Sequence, residues 1–213
     1  MRICTVSVDM ALITIEGLDG TGKTTLTAGL ATALIERGHD VRVLREPGGV
    51  AASERIRELV KDPTLAVGDR TEALLYAAAR AQLIEEILRP ALEAGETVIL
   101  DRFVDSSLAY QGGGRGLGVE AVRALNAFAV GDVTPDRTLL LRIDPDAAAR
   151  RAAARGEAPD RLELAGAEFF GRVHDTYIAL AAAEPDRIRV IDAGQTPERV
   201  LTEALEALDG LGL

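Results

Sequence analysis

The stretch TIEGLDGTGKTTL, residues 14–26, constrains this chain more than any other. A run of apolar and β-branched residues leads into three glycines within six positions, followed by a lysine and two threonines. Gly17, Leu18, Asp19, Gly20, Thr21, Gly22, Lys23 and Thr24 satisfy G-x-x-x-x-G-K-[ST] in full, between a strand pattern and a helix pattern, which is the context the motif requires. The glycines let successive backbone N–H groups turn inward onto phosphate oxygens. The start of the following helix adds partial positive charge. Lys23 is placed to reach the outer phosphates, and the Thr24 hydroxyl to ligate magnesium. The motif indicates a nucleoside triphosphate. It does not separate kinases from switches, transporters or motor ATPases.

The rest of the chain alternates in the same sense. Strand-like runs are expected at 11–16, 41–46, 97–101, 137–143 and 188–193. Helices are expected at 23–37, 53–60, 71–94 (bent near Pro90), 119–130, 144–155, 163–183 and 197–208. Such alternation predicts a parallel sheet covered on both faces, with ligands at the carboxyl ends of its strands. The chain has 213 residues, 47% of them hydrophobic, which suits one domain. A net charge of −10 argues against gripping a nucleic-acid backbone. No apolar run approaches the roughly 20 residues a membrane helix needs. The single cysteine excludes an intrachain disulfide and fits a reducing, cytoplasmic setting. Residues 1–10 read as an N-terminal extension, with Met10 just before the first clear strand.

Chemistry-bearing residues follow the strands. The third strand ends in Asp101-Arg102. The acidic residue there suits magnesium, directly or through water, and the arginine fork suits a second phosphate. FVDSSLAYQGGGRG, residues 103–116, offers Ser106, Ser107, Tyr110 and Gln111, the groups a sugar and a base need; its glycines read equally well as a flexible surface loop. The second strand ends in Arg45-Glu46-Pro47-Gly48-Gly49, where Pro-Gly explains a turn but not the two charges. Tyr76 and Arg80 lie one helical turn apart. They suit a base reader; core packing and a solvated arginine are the plainer alternative.

EGLDGTGKTT, REPGG, LLYAAARAQ, DRFVDSSLAYQGGGRG, RRAAARGE with DRLE, and DAGQTPERV stand in the order and spacing of the bacterial thymidylate kinases, which the chain resembles from about Ala11 to its C-terminus. The resemblance implies a three-layer P-loop kinase fold, a five-stranded parallel sheet of order 2-3-1-4-5, a homodimer, and magnesium-dependent transfer of a phosphoryl group from ATP to dTMP. It places ATP on Gly17 to Thr25, Thr25 included. It places Asp19 near the acceptor and the magnesium, with Thr24 and Asp101 as metal contacts. Tyr76 would stack on thymine, Arg80 would reach a thymine carbonyl, and Arg102, with Arg45 close by, would hold the dTMP phosphate. Tyr110 would crowd a ribose hydroxyl. Ser107, Gln111, Glu46 and Pro47 would complete the acceptor side.

Two positions depart from the family's usual pattern: Val50 stands for a threonine and Ala79 for an aspartate. A third feature concerns charge. Phosphoryl transfer requires positive charge on the migrating group. Some thymidylate kinases carry an arginine within the phosphate loop; this chain has Gly20 and none between 17 and 25. The segment at about 150–161, with Arg150, Arg151, Arg155 and Arg161, resembles a lid, and Arg151 and Arg155 at i and i+4 are its candidate catalytic arginines. A solvated alanine-rich helix is the alternative reading. Other functional readings are a different nucleotide or deoxynucleoside kinase, and a nucleotide-dependent switch.

Overall fold

The computed structural model describes residues 10–154, 156 and 160–213. Residues 1–9, most of the expected N-terminal extension, and Arg155 lie outside them. Five parallel strands form one sheet: β1 (Leu12–Glu16), β2 (Val41–Arg45), β3 (Thr97–Asp101), β4 (Arg137–Arg142) and β5 (Ile188–Asp192), in the order β2-β3-β1-β4-β5. The expected sheet is therefore the one observed. The three inner strands are buried almost throughout, as a sheet covered on both faces requires.

Side-chain alternation sorts the core. Ile13, Ile15, Ile99, Leu139, Leu141 and Ile191 face α1 (Lys23–Glu36) and α9 (Pro197–Ala207). Leu12, Val98 and Leu100 point the other way, onto Leu83, Leu88 and Ala91. These belong to α3 (Asp69–Leu83), which passes through a five-residue π-helical stretch into α4 (Arg89–Glu93). The long helix expected there is thus one rod with a widened middle, and Pro90, which has no N–H to donate, comes just after the widened stretch. Thr14 and Thr138, cross-strand neighbours in register, bond through their hydroxyls at 2.7 Å, which lets two polar side chains sit fully buried between β1 and β4.

The remaining helices are α2 (Ala51–Lys61), α5 (Val104–Ser107), α6 (Val119–Val130), α7 (Pro145–Ala153) and α8 (Ala167–Ala183). Asp144 caps α7 by accepting from Ala147 N at 3.0 Å, ahead of a proline in the first turn. The helix expected over 163–183 is broken: Glu163–Ala165 makes a short 3₁₀ turn, and Gly166 at φ 85° separates it from α8. The glycine run at 112–114 is also not a loop. Residues 108–114 form a π-helical continuation of α5 packed against α8. A Cβ at Gly113 would come within 1.9 Å of Thr176 Oγ1, and one at Gly114 within 2.5 Å of the Phe169 ring, so the glycines are there for close helix approach. The two departures from the family pattern are both buried. Val50 precedes α2 without a side-chain cap and packs in the core, and the backbone carbonyl of Ala79 accepts from Ser53 Oγ at 2.7 Å. Among the described residues no helix is long and apolar enough to cross a membrane.

Candidate active site

The carboxyl ends of β1, β2 and β3 open onto one cavity of about 470 Å³. From β1 the chain enters the phosphate loop. Gly20, at φ 84°, lies directly under α7: a Cβ there would be 2.3 Å from Ala148 O and 2.9 Å from Ala152 N. An arginine at this position, the alternative noted from the sequence, therefore has no room here, because the backbone of the arginine-bearing helix α7 occupies its place. Lys23 Nζ donates to Gly17 O at 3.1 Å and Leu18 O at 2.9 Å, and lies 3.6 Å from Asp19 Oδ1. Burial, reinforced by the charge of Arg102, brings its ammonium down to about 8.

β3 delivers Asp101 and Arg102. Arg102 adopts φ 69°, a conformation that costs a non-glycine residue about 1–2 kcal/mol. The strained turn swings its guanidinium back over the loop. There it donates to Asp19 Oδ1 at 2.8 Å, Ser106 Oγ at 3.1 Å and Tyr110 Oη at 3.3 Å, and lies 5.1 Å from the Tyr110 ring centre. Burial by itself would lift the Asp19 carboxyl, but Arg102 and Lys23 beside it hold it well below the usual carboxylate range. Asp101 lines the cavity, and its buried Oδ1 has no hydrogen-bond partner among the described residues. No cluster of three or more His, Cys, Asp or Glu among the described residues could cage a metal. One strand-end carboxylate and the Thr24 hydroxyl, both lining the cavity, still fit magnesium, which takes most of its ligands from phosphates and water.

The wall expected to take the acceptor is built by β2, α2, α3 and the 103–114 segment. Tyr76, Ser107, Tyr110 and Gln111 line the cavity with Arg45, Glu46 and Pro47. Arg45 pairs with Glu54 at 2.7 Å, and the Glu46–Pro47 peptide is cis. Glu46 is buried. Burial pushes its carboxyl up to about 7 against the pull of Arg80, and its Oε1 has no hydrogen-bond partner among the described residues. Arg80, expected to reach a thymine carbonyl, is not among the residues that line the cavity. It is 2% exposed and stands behind the wall, bonded to Glu46 Oε2 (2.7 Å), Ser107 Oγ (3.1 Å), Phe103 O (2.9 Å) and Asn126 Oδ1. With its donors engaged, it orients Glu46 and Ser107 and does not face the cavity.

Gly17, Leu18 and Thr21 are structural parts of the loop and not of the cavity lining; Thr21 Oγ1 ties back to Leu18 O at 2.8 Å. Gly22, Thr24 and Thr25 do line it. Arg151 also reaches it, from α7, and donates to Ala193 O at 2.8 Å beyond β5.

Several site residues escaped sequence reasoning. Glu16, fully buried at the end of β1, accepts from Phe103 N (2.7 Å), Ser106 Oγ (2.6 Å) and Tyr177 Oη (2.8 Å) and so fixes the 103–106 turn. Burial, with the charge of Asp105, raises its carboxyl above the ordinary value. A charged residue closing an apolar strand was the available signal. Arg57 and Lys61, i and i+4 on α2, both face the cavity; their spacing on an amphipathic helix was the signal for them.

A strand-to-helix phosphate loop on a 2-3-1-4-5 sheet, facing a separate arginine-bearing acceptor wall across one cavity, defines the class: a P-loop nucleotide kinase. The sequence profile of the family described as thymidylate kinase matches residues 15–204. Thymidylate kinase of Deinococcus radiodurans is 48% identical over 200 residues, covering 94% of this chain and 97% of that one. That of Latilactobacillus sakei is 49% identical over 200 residues, covering 92% and 94%. The crystal structure of thymidylate kinase from Ehrlichia chaffeensis superposes with a TM-score of 0.76 at 32% identity, covering 94% and 99%. The chain belongs to the thymidylate kinase family. It is an ATP-dependent dTMP kinase, which transfers the γ-phosphoryl group to give dTDP and ADP.

Proposed function

We propose the following division of labour for that reaction. The loop from Gly17 to Thr25 receives the ATP phosphates through its backbone N–H groups. Lys23 leaves its two carbonyl partners for phosphate oxygens of the donor. The dTMP base lies against the Tyr76 ring, with Ser107 and Gln111 at its edge. The dTMP phosphate sits at Arg102, near Arg45, with Tyr110 against the sugar. An oxygen of that phosphate attacks the γ-phosphorus while the bond to the β-phosphate oxygen breaks. Charge on the migrating group is met by Lys23, Arg102 and Arg151, and by Arg155 of the same lid segment at about 150–161. Magnesium, held by Thr24 and Asp101, would draw electron density from the phosphate oxygens. Asp19 holds Arg102 in place at the junction of the two halves.

The observation that carries this reading is the reach of Arg102 from a strand end to both Asp19 on the loop and Tyr110 on the acceptor wall. Arg102→Ala should raise the dTMP KM by about 10- to 100-fold, the range of a lost charge-assisted hydrogen bond, and leave the ATP KM within a few-fold. Lys23→Ala should fold and be nearly inactive. An unchanged dTMP KM in the first variant, or robust turnover in the second, would overturn these assignments. A coupled assay comparing dTMP with thymidine, dUMP, dCMP and AMP tests the acceptor class.

Association as a homodimer is supported by Phe128 on α6, 93% exposed, and Leu74 on the adjoining α3, 56% exposed. One cysteine and the lack of a membrane-crossing helix among the described residues support a cytoplasmic setting.

A further inference from the structure

Glu72 of α3 is completely buried, 0% exposed, and lies one helical turn before Tyr76. Three residues from distant parts of the chain converge on its carboxylate. Arg115 donates to both oxygens, at 3.2 and 3.0 Å. Arg161 donates to Oε2 at 2.5 Å and is itself fastened to α2, through its Nε to Val60 O at 2.9 Å and its backbone N to Lys61 O at 3.2 Å. The third is Gln111, whose Nε2 donates to Oε1 at 2.8 Å.

A side-chain amide can ordinarily be turned end for end, but not here. A carboxylate held by two guanidinium groups is an acceptor only, so the amide must present its nitrogen to it. Gln111 lines the acceptor cavity, and its carbonyl oxygen accepts no hydrogen bond among the described residues. The end left for a ligand is therefore an acceptor. We infer that Glu72 is a positioning residue for base selection: it locks the Gln111 amide so that Oε1 faces the acceptor base and selects a pyrimidine that carries a ring N–H. Thymine and uracil offer that donor. Cytosine offers a bare ring nitrogen, which would meet the oxygen lone pair to lone pair. The lock does not read the thymine methyl group, so it contributes nothing to the choice between dTMP and dUMP. The inference rests on the placement of the acceptor base proposed above.

The test compares kcat/KM for dTMP and dCMP in the wild type, Glu72→Gln, Glu72→Asp and Gln111→Ala. A neutral amide at 72 can pair with Gln111 in either orientation. In Glu72→Gln the dTMP-to-dCMP preference should therefore fall by about 10-fold, the scale of one hydrogen-bond contact, with the loss concentrated in the dTMP KM. Glu72→Asp keeps the acceptor-only group and should retain most of the preference. A merely structural Glu72 would lower both substrates together; an unchanged ratio in folded Glu72→Gln overturns the inference. If Glu72→Gln does not fold, wild-type enzyme decides with dTMP methylated on its ring nitrogen. That compound should bind about 100-fold more weakly than dTMP or worse, and binding within threefold of dTMP overturns the inference. Gln111→Ala separates the two levels. If it leaves the dTMP KM unchanged, the placement of the acceptor base is wrong. If it raises the KM while Glu72→Gln keeps the ratio, the placement stands and only the lock fails.

Discussion

Glu46 shows how a single side chain ties the site to solution conditions. Its carboxyl is buried beside Arg80, and burial wins: the group is pushed up to about 7 from an ordinary 4.5. Between those two values the folded protein retains a proton that the unfolded chain has released. Its stability must therefore fall as pH rises through that window, by on the order of 3 kcal/mol at most from this residue. Below about 4.5 both states are protonated and the full contribution is present; above about 7 it is gone. Glu46→Gln keeps the shape and removes the titration. Its melting temperature should change less than that of the wild type between pH 5 and pH 8, and equal slopes for the two proteins would show that Glu46 is not the source. Arg102 has the converse design. Its strained backbone is retained because three acceptors hold the guanidinium in the one place where loop and acceptor wall both reach it. The sequence carried Arg102 plainly, since it follows a strand ending in aspartate. It could not carry the fact that Arg80 stands behind the wall, because that depends on Glu46 and Asn126, 34 and 46 residues away in the chain.

At the level of elements, the contact between α7 and the phosphate loop is the most constrained. Gly20→Ala would place a methyl group within 2.3 Å of Ala148 O and would add the roughly 1–2 kcal/mol that a side chain pays at positive φ. We expect both a lower melting temperature and a lower kcat, since lifting α7 also moves Arg151 away from the cavity. A variant with wild-type values of both would show that α7 can shift without consequence. The chain's apolar pattern placed each strand within a residue or two: the inner strands β1, β3 and β4 carry near-continuous apolar runs, and the edge strands β2 and β5 interleave apolar and charged residues. It failed at 108–114 for a physical reason. Three glycines in sequence signify freedom, whereas in the fold they signify the nearness of Thr176 and Phe169 on α8, which no local pattern records. Glu72 was illegible for the same cause: its partners Gln111, Arg115 and Arg161 lie 39, 43 and 89 residues away.

The whole molecule offers an apolar surface that the monomer leaves open on α3 and α6. Phe128→Glu should shift the sedimentation or light-scattering mass of a dimer towards that of a monomer and leave the fold intact by circular dichroism; an unchanged mass would move the interface elsewhere. Tyr76 and Glu72 share α3 with Leu74, so if α3 and α6 form the proposed dimer interface, its loss should also raise the dTMP KM measurably. The sheet itself has a direction. All of its strands run the same way, and the residues given to chemistry gather where β1, β2 and β3 end. The turns at 38–40 and 95–96 lie at the opposite rim, where the strands begin. The enzyme thus has a working end and a handling end, and a dye, tether or affinity tag spliced into the turn at 38–40 would ride on the molecule as a passenger, out of the way of both nucleotides.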